Sequence, residues 1–138
     1  MSTTVATILL SDAQQMIERS IAAARSLDLA CSIAVVDSSG HLLSFIRQDG
    51  AMAGSAALAI DKAFTAHIFN KRTDALNALA QPGAELYGIQ HSHGGRVVVF
   101  GGGIPIQFEG RTIAAIGVSG GTVAEDIAIA EAGSVASS

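Results

Sequence analysis

The sequence predicts an α+β fold, in which antiparallel strands carry helices packed against them. Three observations lead there. Two β-prone runs, 30–36 and 41–48, flank the turn Asp37-Ser38-Ser39-Gly40 as a hairpin would. A second group of β-branched runs between 96 and 118 is broken by glycine clusters, the pattern of short strands joined by tight turns. Helical patterns lie before, between and after these groups, so the order does not alternate strand and helix as a parallel βαβ fold requires.

Taken in order, residues 4–10 form a short β-prone run. Ser11 and Gln14 make an S-x-x-Q capping box, after which Met16, Ile17, Ser20, Ile21, Ala24 and Leu27 share one helical face. The hairpin follows, then a loop over 49–54. A long apolar helix spans 55–69, with Leu58, Ile60, Phe64, Ile68 and Phe69 on one side and Ala59, Ala63 and Ala66 on much of the other. A helix apolar nearly all round is buried on two sides. Thr73 and Asp74 open a short helix that stops before Pro82-Gly83. Two or three strands occupy 96–118, and Thr122 with Glu125 caps a last helix in a T-x-x-E box. The chain reads as one domain over 1–138, without repeat or linker, ending in a frayed tail over 134–138.

Hydrophobic residues make up 49% of the 138 residues and charged ones 14%, against about 25% charged in an average soluble domain. So little charge cannot cover a small monomer, and the chain is expected to bury surface against copies of itself as a homo-oligomer. The net charge of −4 and the lack of a basic stripe argue against nucleic acid and anionic membranes as partners. No run approaches the roughly 18 apolar residues of a membrane span. Residues 1–10 lack a basic signal-peptide start, and the single Cys31 fits a reducing compartment, so a cytoplasmic address is expected.

Lys62 stands out. It shares the apolar helix with one other charged residue, Asp61. A buried ammonium is costly unless paired, and its pKa is easily depressed. Two readings follow: a catalytic group that orients or deprotonates a carboxylate or carbonyl substrate, or a structural partner of Asp37, Asp49 or another carboxylate. Gly117-Val118-Ser119-Gly120-Gly121 has the form G-x-S-x-G. A hydrolase elbow needs its histidine after the serine, whereas His41, His67, His91 and His93 all precede Ser119. Ser119, Gly120 and Gly121 instead suit an anion at the start of the last helix, with plain capping by Thr122 as the alternative. His91 and His93 would share a strand face, but no further ligand completes a metal site, and none is expected.

Eleven of the fifteen glycines fall between Gly83 and Gly121. Within and around that stretch, AVVDSSGHLLSFIRQDGA, IDKAFTA, QPGAELYGIQ, GGRVVVFGGGIPI and IGVSGGTVAED occur in series. With its GGG-x-P and GVSGGT-x-x-x-D motifs, the chain resembles the GlcG/HbpS-like family from about Leu10 to Ala132. That family includes haem-binding HbpS-type proteins and the C-terminal domain of PduO-type cobalamin adenosyltransferases. The resemblance implies a profilin-like three-layer α/β/α arrangement around an antiparallel sheet of about five strands, with assembly from dimer to octamer. It implies a small-molecule ligand, with haem as the possible cofactor, or a role as a small enzyme or assembly partner of a catabolic operon. Arg47 and Tyr87 match family positions, and with Gly101, Gly102, Gly103, Ser119, Gly120 and Gly121 they make up the expected ligand-binding set, while Lys62, in the matched Asp61-Lys62-Ala63 element, is the catalytic candidate. For haem, axial groups could come from His41, His67, His91, His93, Tyr87 or Met52, and propionate partners from Arg47, Arg96 or Lys62. The first helix has no histidine, where the PduO-type domain would be expected to place one.

Overall fold

The computed structural model describes residues 1–135; residues 136–138, part of the expected frayed tail, lie outside the described residues. In chain order the elements are α1 (Leu10–Ser26), β1 (Ser32–Val36), β2 (Leu42–Arg47), α2 (Ser55–Phe69), α3 (Thr73–Leu79), β3 (Gly103–Phe108), β4 (Arg111–Ser119) and α4 (Val123–Ser134). The strands form one antiparallel sheet in the order β2-β1-β4-β3.

Side chains alternate across a strand, so each strand feeds two cores. On one face Ile33, Val35, Ile116 and Val118 are fully buried under α1 and α4, whose Ala13, Met16, Ile17 and Ile129 meet them. Each such side chain contributes about 1.5–3 kcal/mol by leaving water. On the other face Ala34, Val36 and Ala115 meet Ala59, Ala63 and Ala66 of α2. Small residues on both sides bring α2 unusually close to the sheet. A Cβ at Gly117 would lie 2.5 Å from the Ala63 nitrogen and closer still to the Ala59 carbonyl oxygen. The large face of α2 is less covered: Leu58, Phe64, Ile68 and Phe69 remain half-buried. The three-layer α/β/α arrangement is therefore as expected.

Four strands form, not about five. The run expected as a strand at 96–100 turns its backbone to helix side chains instead. Val98 N–H donates to Thr65 Oγ1 at 3.0 Å, and the Val99 carbonyl accepts from Asn77 Nδ2 at 3.0 Å. The run at 4–10 makes one sheet-like bond, Ile8 N–H to the Ile113 carbonyl at 3.3 Å, and then enters the helix. α1 begins at Leu10, ahead of Ser11, with no side-chain cap, so the S-x-x-Q box does not form. The T-x-x-E box does: Thr122 Oγ1 accepts from Glu125 N–H at 3.2 Å, and Glu125 returns a carboxylate oxygen to Thr122 N–H at 2.9 Å. His91 and His93 do not share a strand face. They fall in two 3-10 turns, Ile89–His91 and His93–Gly95.

The hairpin turn is closed by Asp37. Its Oδ1 accepts from Ser39 N–H at 2.9 Å and His41 N–H at 3.1 Å, an Asx arrangement that replaces missing backbone partners.

Candidate functional site

Lys62 projects from the middle of α2 into the space between β4 and the start of α4, and it is 0% exposed. Its Nζ donates to the Val118 carbonyl at 2.9 Å and to Asp126 Oδ2 at 3.1 Å, and lies 5.0 Å from the centre of the Phe100 ring. Asp126 is also buried, and its Oδ1 accepts from Gly121 N–H at 2.8 Å. Burial pushes the Lys62 ammonium below its ordinary value while the Asp126 charge opposes the shift. Burial likewise raises the Asp126 carboxyl, against the Gly121 N–H and Lys62. The neighbouring Cys31 thiol is pushed up to about 11, first by burial and then by the charges of Asp126 and Glu125.

The triple glycine forms the wall of this compartment. Gly102 has φ +128°, and a Cβ there would lie 2.7 Å from Lys62 Nζ and 2.6 Å from the Val118 carbonyl oxygen. At Gly101 it would meet Ile127 at 2.5 Å. Gly103 N–H donates to Thr73 Oγ1 at 2.8 Å. The structure thus gathers Lys62, Gly101, Gly102, Gly103, Gly120 and Gly121 in one place. Asp126, which closes the GVSGGT-x-x-x-D motif, is the partner that sequence alone left without a role. The arrangement clamps α2 to β4 and α4.

Ser119 lies beside the compartment, on the α2 face of the sheet. It sits opposite Ser32, which in turn sits opposite Arg47, so the three form one row across β4, β1 and β2. Ser32 Oγ and Ser55 Oγ, at the start of α2, are 2.8 Å apart. Ser119 is 6% exposed, and its hydroxyl makes no hydrogen bond among the described residues. The two helix starts near this row differ. Around α4, the N–H groups of Gly121, Thr122 and Glu125 already donate to Asp126, Glu125 and Thr122. The start of α2 has Gly54 as its N-cap, with no side-chain cap and no acid in its first turn. It therefore keeps uncompensated N–H groups and positive dipole.

Arg47 also borders a cleft of about 440 Å³ between the last turns of α1 and the end of β2, lined by Ile21, Arg25, Leu29, Ile46, Arg47 and Asp49 among others. Neither Arg25 nor Arg47 makes an ion pair among the described residues. Arg96 is held by Asp61 at 3.0 Å over the Phe64 ring. Tyr87 and Met52 are exposed, at 63% and 68%, and line neither this cleft nor the Lys62 compartment. His41, His91 and His93 are exposed, while His67 is half-buried against Gly40 with its Nδ1 unpartnered. Among the described residues, no three His, Cys, Asp or Glu side chains are grouped to hold a metal. No helix among them is long and apolar enough to cross a membrane.

An antiparallel sheet with a helix pair on one face, and on the other a helix pinned by a buried lysine–aspartate pair, is a profilin-like α/β/α sandwich. The chain belongs to the HbpS-like family: the model described as haem degrading protein HbpS-like matches residues 8–134. An uncharacterized 15.0 kDa protein from the dhaT–dhaS intergenic region of Citrobacter freundii is 39% identical over 127 residues, 92% of this chain and 89% of that one. Klebsiella pneumoniae protein ORFY superposes with a TM-score of 0.94 at 37% identity, over 96% of this chain and 92% of that one. A crystal structure of a PduOC–haem complex superposes with a TM-score of 0.90 at 33% identity, over 93% of each chain.

Proposed function

We propose that the chain binds a tetrapyrrole of the haem type through the periphery of the macrocycle, in the cleft between α1 and β2. One observation carries this reading: two arginines without ion-pair partners among the described residues, Arg25 and Arg47, share a cleft with apolar Ile21, Leu29 and Ile46 and a single acidic residue, Asp49. A planar apolar body with two carboxylates matches that lining, because guanidinium takes carboxylate in a bidentate fork. The volume lies within the range of ligand sites. Support also comes from the likeness to the PduOC–haem complex.

The lining fits the carboxylates better than the iron. No His, Cys, Met or Tyr borders the cleft, and an iron-centred site would require one of these as axial ligand. Affinity therefore comes from the ring and its propionates, and metal-free porphyrin should serve as well as haem. Titration of the protein with haemin and with protoporphyrin IX tests this. Saturable binding of both, with affinities within about threefold, is expected, and Arg25→Ala with Arg47→Ala should weaken both by at least tenfold. Failure of either compound to saturate, or binding of haemin alone, overturns the reading.

A further inference from the structure

A second groove lies on the other side of α1. Its inner part, about 210 Å³, is lined by Ile8, Asp12, Met16, Arg19, Ile106 and Ile113 among others. Its outer part, about 300 Å³, shares Ile8, Asp12 and Ile113 and runs on to Leu9 and Phe108. The two parts form one apolar trough with a guanidinium at the inner end. It shares no residue with the cleft between α1 and β2. Arg19 makes no ion pair among the described residues. One of its nitrogens donates to the Gly133 carbonyl at 2.9 Å, while its Nε is buried with no partner. A buried donor without a partner is unfavourable, the more so on a charged group, and among the described residues no side chain or carbonyl accepts from this nitrogen.

We infer that the trough binds an aliphatic carboxylate, with its head on Arg19 and its chain running past Ile8 and Ile113 toward Phe108. The carboxylate meets the guanidinium where Arg19 lines the trough, and the tail covers side chains that the protein leaves partly in water. Asp12 lines both parts of the trough and is the one acidic group there. It stands seven residues before Arg19 on α1, about 10.5 Å along the axis, beside the uncharged part of the chain.

Calorimetric titration with butyrate, hexanoate and octanoate tests the inference on the unmodified protein. Each methylene that enters the trough should tighten binding about twofold per carbon or better, approaching the fourfold of full burial. Octanamide, which keeps the tail without the charge, should bind at least tenfold more weakly than octanoate. Arg19→Met should lose octanoate to the same extent, and Phe108→Ala should flatten the series at its long end. Bound haemin should not be displaced by octanoate, which separates this site from the tetrapyrrole cleft. A series flat in chain length, octanamide binding as well as octanoate, or displacement of haemin would each overturn the assignment.

Discussion

At the scale of single residues, the strongest constraint is the pair Lys62–Asp126. Both side chains have left water, so each charge depends on the other and on the Val118 carbonyl and Gly121 N–H around them. Removing one partner strands the other. Lys62→Met or Asp126→Ala should each cost about 3–5 kcal/mol, whereas Lys62→Met combined with Asp126→Leu should recover much of that loss. Urea denaturation of the three variants measures this; a Lys62→Met protein as stable as the parent would show that the pair is not a clamp. His67 gives a pH dependence. Burial holds its imidazole below the ordinary 6.5, with the Asp37 charge opposing. With the folded value lowered, the unfolded chain takes up the proton first as pH falls through about 6.5, so stability declines until the folded value is passed. Urea midpoints between about pH 7.5 and about pH 5 should fall in the parent, and His67→Gln should remove that part of the slope. An unchanged slope in His67→Gln would mean that another group carries it.

At the scale of elements, the contact of α2 with the sheet rests on what Gly117 lacks. Any Cβ there meets the backbone of Ala59 and Ala63 rather than a side chain that can rotate away. Gly117→Ala should therefore push α2 outward and destabilise by about 3 kcal/mol, the upper end for overpacking, read as a lowered urea midpoint with unchanged helix content. An Ala variant of parental stability would show that the helix can move freely. The same region explains what was legible in the sequence. The periodicity of 55–69, the T-x-x-E cap and the hairpin were readable because their signals are local: spacing, a side chain three residues away, a turn closed by its own aspartate. The run at 96–100 has the composition of a strand, but Thr65 and Asn77 take up its backbone groups. The S-x-x-Q box likewise lost to a helix whose N-cap, Leu9, falls two residues before Ser11. Those outcomes depend on packing between distant elements, which a local pattern does not encode. The site divides in the same way. Burial of Lys62 followed from the apolar helix around it, but its choice of Asp126, sixty-four residues on, over Asp37 or Asp49 required the fold.

At the scale of the whole molecule, composition and surface bear on assembly. A monomer of 14.0 kDa is expected to expose about 6,700 Å², and this protomer exposes 7284 Å². Part of the surplus is the exposed run at the N-terminus before Ile8. Part is large apolar side chains, among them Phe100 at 37% and Val123 at 45%, which flank Gly101 above the Lys62 compartment. With charged residues at 14%, little is available elsewhere to keep such a protomer apart from its copies. Burying the Phe100–Val123 surface would also thicken the apolar cover over the already buried Lys62–Asp126 pair, lowering the dielectric around it further. We therefore expect a homo-oligomer at micromolar concentration, with this patch inside the contact. Light scattering coupled to size exclusion should give a mass of at least two protomers for the parent, and Val123→Lys should shift the population to monomer without altering the circular dichroism. A parent that runs as a single protomer would remove the assembly. An oligomer indifferent to Val123→Lys would move the contact to another face, leaving the Phe100–Val123 surface as the exposed roof of the buried pair.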